Sequence, residues 1–286
     1  MTQNIVDPHL HLFALDLGDY GWLKPDKPPF WPDKKTIAKN VGEADLRLTE
    51  GLNLAGFVHI EAGFDNEHPW REIDWLESTC KLRFKSVACA NLYSTDFAHT
   101  MQILAKRKSV VGIRHILDDE ALAILSHPQC ARNFAVLNEM NLSFDAQFPV
   151  HDTGAVHELI KHAKQNKNLR IIINHAGWPP VSGTIEDNKW QDNIHYLRDC
   201  ENIAIKLSGW EMANRQWSFQ AIEKPLKKVI TCFGSPRVML ASNFPLCTLS
   251  RPYLELWQGY KNELHLSANL FQQLAYNNAA HWYKLN

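Results

Sequence analysis

The strongest constraint in this sequence is an eightfold alternation of extended and helical stretches. The first extended stretch begins at Asn4-Ile5-Val6 and runs into Asp7-Pro8-His9-Leu10-His11. The others are Gly56–Ala62, Lys85–Leu92, Val110–Leu117, Leu142–Phe148, Leu169–His175, Asn202–Ser208 and Arg237–Asn243. Helical patterns follow them at Thr36–Leu52, Pro69–Cys80, Thr95–Arg107, Gln129–Asn141, Thr153–Asn166, Lys189–Cys200, Ser218–Phe233 and Pro252–Glu263. Such alternation makes a parallel sheet with right-handed crossovers. Eight units in 286 residues close most simply as an α/β fold of the (β/α)8, or TIM-barrel, type. A doubly wound open sheet is the alternative, but no Gly-x-Gly-x-x-Gly follows the first strand. A last helical stretch, Ser267–Tyr283, is expected to pack outside the barrel. No repeat or linker divides the chain, so residues 1–286 read as a single domain.

Composition narrows the functions. A formal net charge of -1 gives no electrostatic reason to bind nucleic acid or an anionic membrane. No apolar run approaches the ~18 residues of a membrane span, and no basic-then-apolar leader opens the chain. Cys80, Cys89, Cys130, Cys200, Cys232 and Cys247 are scattered without a Cys-x-x-Cys pair. They read as free thiols of a reducing cytoplasm rather than a zinc-finger site. The expected partner is a small molecule; the oligomeric state stays open.

Strand parity then picks out a site, because alternate side chains share a face. Asp7, His9 and His11 fall on one face of the first strand, with Val6, Pro8, Leu10 and Leu12 on the other. Two imidazoles on one strand suit either a divalent metal or an acid and base at fixed spacing. The second strand sets Phe57, His59 and Glu61 against Val58, Ile60 and Ala62. The fifth sets Ser143, Asp145 and Gln147 against Leu142, Phe144 and Ala146. In the sixth, Ile171, Ile173 and His175 share a face. In the seventh, Lys206 and Ser208 oppose Ile203, Ile205 and Leu207. In the eighth, Met239, Ala241 and Asn243 share a face, and the fourth offers Arg114 with Gly112 or His115 with Ile113. In a barrel the polar residues near strand C-termini form the site. The mouth should therefore hold His9, His11, Glu61, Arg114, Asp145, Gln147, His175, Lys206 and Asn243. The long loop Phe13–Pro32 reads as a lid or a packed cover. Its Trp22 and Trp31, with Trp178 and Trp210 after strands six and seven, suit a pocket that stacks on a flat or sugar ring, or ordinary rim packing.

Several spaced motifs resemble the amidohydrolase-related barrel hydrolases. They are His9-Leu10-His11, Val58-His59-Ile60-Glu61-Ala62, Gly112-Ile113-Arg114-His115, Asn174-His175-Ala176-Gly177 and Lys206-Leu207-Ser208-Gly209. The block from Phe233 to Pro245 is similar to their strand-eight signature, and Asn278-Ala279-Ala280-His281-Trp282-Tyr283 to their last helix. Within the superfamily the nearest branch looks like the sugar-lactone and pyrone-dicarboxylate lactonases. The resemblance implies hydrolysis of a carboxylic ester or lactone. His9, His11 and His175 would hold one divalent, zinc-like metal, or polarise the carbonyl without one. Arg114 would clamp a carboxylate or hydroxyl, with Gln147, Trp22 and Trp178 as further substrate contacts. Lys206 would add a second positive contact or, preferably, pair with Glu61 or Asp145. Relatives activate water with a strand-eight Asp. Here that residue is Asn243, which cannot take a proton. Asp145, Glu61 or a histidine must then be the base. The alternatives are a metal-dependent decarboxylase of an aromatic acid, or a weakened member that only binds its ligand.

Overall fold

The computed structural model describes residues 2–49 and 51–285. Aliphatic runs form the strands β1 (Gln3–Leu10), β2 (Leu52–Ile60), β3 (Phe84–Cys89), β4 (Val110–Ile116), β5 (Ser143–Gln147), β6 (Ile171–Ile173), β7 (Ile203–Leu207) and β8 (Val238–Leu240). They pair in parallel in that order. The seam between β8 and β1 is stitched at the mouth. His11 N donates to Phe244 O at 2.6 Å, and Asn243 N to His9 O at 2.8 Å. The result is the expected (β/α)8 barrel. Its helices are α1 (Trp70–Thr79), α2 (Phe97–Leu104), α3 (Ala121–Ser126), α4 (Pro128–Glu139), α5 (Thr153–Gln165), α6 (Ile185–Leu197), α7 (Trp210–Ala213), α8 (Phe219–Phe233) and α9 (Tyr253–Asn262). Among the described residues no helix is long and apolar enough to cross a membrane.

Two cores result. The outer one, between strands and helices, takes Ile5, Leu10, Phe57, Ile113, Phe144, Ile171 and Ile205. The inner one fills the barrel with Val6, Val58, Ile60, Val87, Ile172, Ala204 and Met239. The parity expected for β5 and β7 is the parity found. β1 differs, because Asp7 pairs with Phe57 and Leu10 with His59, three steps against two. Such a bulge breaks alternation and re-aims side chains. Val6 therefore points inward and Asp7 outward, away from the two histidines. Asp7 accepts from Ser242 N at 3.1 Å, His9 N at 3.2 Å and the Tyr253 hydroxyl of α9 at 3.1 Å. In β2, Val58 and Ile60 fill the barrel, whereas His59 turns out to Glu72 of α1 at 3.1 Å. In β6, Ile171 and Ile173 face the helices. His175 escapes their parity because the chain leaves the strand with φ of +54° at His175 and +53° at Ala176.

The helix expected over Thr36–Leu52 does not form. Two short 3-10 turns, Lys34–Thr36 and Glu43–Asp45, stand there instead. Val41 pairs with Phe13 through mutual N–H to O bonds of 3.0 Å, and Gly42 is extended at φ −141°. That pairing takes the backbone groups a helix would need, and a short helix is marginal without them.

The C-terminal helix also departs from expectation. It runs Ala268–Gln272, passes a π turn at Gln273–Asn277 and ends as Asn278–Trp282. It lies under the barrel, not outside it. Ala279, Ala280, Trp282 and Tyr283 join the inner core. Asn278 donates to Val238 O at the start of β8, and the Tyr283 hydroxyl donates to Asp145 at 2.9 and 3.0 Å. Small alanines let the helix approach closely, and the tyrosine plugs the open end. Replacing Tyr283→Phe removes a donor to a buried carboxylate and should cost about 1–3 kcal/mol. The check is a lower urea midpoint at unchanged slope.

Candidate active site

Asp145 of β5 and Lys206 of β7 meet inside the barrel, both fully buried. Lys206 Nζ lies 2.5 Å from Asp145 Oδ2 and 3.2 Å from His9 Nδ1. Burial alone would neutralise both charges. It lowers Lys206 and raises Asp145, and in each case the partner is the largest opposing influence; their 2.5 Å contact is what retains the ammonium. An ammonium has donors and no lone pair. His9 Nδ1 must therefore accept, and the proton of this neutral ring sits on Nε2, which is buried and has no protein partner.

His11 has the opposite arrangement. Its Nδ1 donates to Ile60 O at 2.7 Å, so its Nε2 keeps a lone pair. His175 contacts Ser208 Oγ through Nδ1 at 3.1 Å. The His9 ring centroid is 5.2 Å from that of His11 and 4.6 Å from that of His175. Burial, followed by nearby cations, holds all three imidazoles well below the usual histidine range; for His9 the foremost cation is Lys206, for His11 and His175 it is Arg114. They are neutral at physiological pH. Gly209, at φ +72°, makes room for His175: a Cβ there would come within 2.5 Å of its Nδ1.

Above the histidines opens a cleft of about 1240 Å³. Of the residues singled out from sequence, His11, Glu61, Arg114, Gln147, His175, Asn243, Trp22, Trp31 and Trp178 line it. His9, Asp145 and Lys206 lie behind that lining, in the order His9, Lys206, Asp145. Lys206 has taken the structural pairing that the sequence favoured. Trp210 is directed elsewhere, donating to Tyr260 Oη at 3.0 Å. On the wall, Arg114 donates through Nε to Glu61 Oε1 and through Nη2 to Glu61 O, both at 2.7 Å, and through Nη1 to Gln147 Oε1 at 2.9 Å. Glu61 is thus clamped.

One residue escaped the sequence reading. Glu211 of α7 is 1% exposed and accepts from Asn243 Nδ2 at 2.6 Å. Burial raises its carboxyl to about 7, with Asn243 the largest opposing influence. The only sequence signal was indirect: an Asn in place of a charged residue asks where the charge has gone.

The imidazoles do not present three free nitrogens to an ion, because Lys206 leaves the His9 Nε2 protonated. No group of three or more His, Cys, Asp or Glu side chains among the described residues is set to hold a metal.

The amidohydrolase family model matches residues 6–285. This chain belongs to the amidohydrolase family. An uncharacterized protein, y4mH, of Sinorhizobium fredii is 29% identical, covering 98% of each chain. An L-fucono-1,5-lactonase of Burkholderia ambifaria is 23% identical, covering 96% of each. A crystal structure of an amidohydrolase from Burkholderia multivorans with bound zinc superposes over all of both chains, with a TM-score of 0.78 at 19% identity. For this amidohydrolase the buried pair gives a direct test. Lys206→Met alone strands Asp145 and should destabilise by about 3–5 kcal/mol, whereas Lys206→Met with Asp145→Leu should recover most of that loss. Chemical denaturation of the three proteins decides it.

Proposed function

We propose that this amidohydrolase opens a neutral, hydroxylated lactone of the sugar-acid kind. The observation that carries the reading is the contrast between the Nδ1 contacts of His9, to Lys206 Nζ, and of His11 just after β1, to Ile60 O, from which opposite tautomers follow. His11 Nε2 offers a lone pair to a water at the cleft floor. Behind it, His9 Nε2 offers a proton, and Arg114 has N–H groups beyond those used by Glu61 and Gln147. The water oxygen attacks the lactone carbonyl carbon as His11 takes its proton. Charge developing on the carbonyl oxygen is met by the remaining N–H groups of Arg114, which are already oriented. The ring C–O bond then breaks, and the ring oxygen takes the proton back from His11, giving a hydroxy acid. Asp145 and Glu61 are poorer bases, since Lys206 and Tyr283 occupy one and Arg114 the other. No step passes through a metal.

The walls support the substrate class. Both guanidiniums facing the cleft are already paired, Arg114 with Glu61 and Arg71 with Asp65 at 2.6 Å. Asp19, Glu67 and Asp118 add acceptors. A dicarboxylate, or the aromatic acid of a decarboxylase, would bring further negative charge against carboxylates that already neutralise these guanidiniums. Sugar hydroxyls would instead donate to the carboxylates, with Trp22, Trp31 and Trp178 against the ring. The L-fucono-1,5-lactonase similarity points the same way. The reading includes one domain over the chain and, from six unpaired thiols, a cytoplasmic setting.

Neutral hexono-1,5-lactones should be hydrolysed with kcat/KM at least about tenfold above a pyrone dicarboxylate, a difference of ~1.4 kcal/mol in transition-state binding. His11→Gln should lower kcat by roughly 10²–10⁴, the usual contribution of a general base. Dialysis against a chelator should leave turnover unchanged. A dicarboxylate preference, or full activity in the His11 variant, would overturn the proposal.

A further inference from the structure

We infer that Glu211 is a positioning residue: it holds the amide nitrogen of Asn243 and so leaves the amide oxygen facing the cleft, where it orients the attacking water. The assignment rests on the hydrolytic reading above and adds a residue to it. Asn243 lines the cleft, yet its Nδ2 is committed behind to Glu211 Oε1 at 2.6 Å. Its backbone is fixed as well. Asn243 N donates to His9 O at 2.8 Å, and its φ of +59° is one that asparagine tolerates better than most residues. The amide therefore has little freedom except a flip about its last bond.

That flip decides the chemistry. A carboxamide has one donor end and one acceptor end. A water that is to attack must give a proton away, so it needs acceptors around it. With the donor end held by Glu211, the acceptor end remains for the water, beside the lone pair of His11. A carboxylate can only accept, so ionised Glu211 admits a single orientation of the amide. A protonated Glu211 can donate to Oδ1 and let the amide reverse, which would point NH₂ at the water and spoil the site. The groups that bear on Glu211 are Asn243, Arg215 and Arg251, which favour its charge, and Cys247 and Tyr260, both held neutral by burial. The carboxyl rises to about 7. The negative charge that an aspartate would carry at the cleft thus sits one residue deeper. An aspartate at 243 would face Glu211 as a buried like charge.

The experiment compares wild type, Glu211→Gln and Glu211→Leu on a neutral hexono-1,5-lactone across about two pH units on either side of neutrality. The wild-type kcat should rise with pH through about 7, because the ionised form is the productive one. The three imidazoles, held neutral, add no inflection there. Glu211→Gln can accept from or donate to Asn243 and does not titrate, so its kcat should lose that inflection. Glu211→Leu frees the amide, and kcat should fall about tenfold with KM within about twofold. Thermal melting establishes that each variant is folded. An inflection retained in Glu211→Gln, or wild-type kcat in a folded Glu211→Leu, overturns the assignment. If the leucine variant fails to fold, the glutamine pH profile decides alone. A wild type inert on every neutral lactone overturns the hydrolytic reading, and the assignment with it; an active wild type with unaltered variants overturns the assignment alone.

Discussion

The structure turns on one ammonium group in a closed barrel. Lys206 sits where an aliphatic side chain would pack more cheaply, and its charge persists because Asp145 lies 2.5 Å away. Replacing such a pair by apolar groups is often neutral or stabilising, so stability does not explain it. Its effect is directional. The ammonium dictates which nitrogen of His9 bears a proton, while a strand carbonyl dictates the reverse for His11. Two identical side chains two residues apart thereby acquire opposite chemistry without any difference in charge.

The same logic extends outward. Tyr283 donates from below to Asp145, Asp145 faces Lys206, Lys206 faces His9, and His9 stands behind the cleft. A helix contributed by the last residues of the fold is in this way connected to the reacting end of the barrel. Beside this column, Arg114 fixes Glu61, and Asn243 faces Glu211. His9, His11, His175, Glu61, Arg114, Gln147 and Asn243 each have a partner that limits orientation, the condition for a site that need not reorganise during reaction.

Regular elements were readable from sequence, and irregular ones were not. β5 and β7 alternate without interruption, so Asp145, Gln147, Lys206 and Ser208 were placed correctly from parity. β1 was not, because a bulge reverses Asp7 relative to His9, and residue types alone do not announce a bulge. His175 reached the mouth for a reason parity cannot contain, a run of four residues with positive φ, His175 to Trp178, after β6. The segment around Asn40-Val41-Gly42 has helical neighbours but gives its backbone bonds to Phe13. Glu211 sits on a four-residue helix with no recognisable pattern, and only its contact with Asn243 reveals it. The family motifs identified the barrel and most of its mouth, but the partner behind each motif residue comes from tertiary contact.

The plug beneath the barrel bears on how the protein is made. During synthesis all eight strands leave the ribosome before Tyr283 does. Until it arrives, Asp145 lacks its lower donor and the inner aliphatic layer stands open to water. A nascent chain can assemble its sheet early, but the column beneath the cleft is not complete until Tyr283 has emerged. Fragments released before that point would carry every residue of the cleft and still lack the arrangement that orders them.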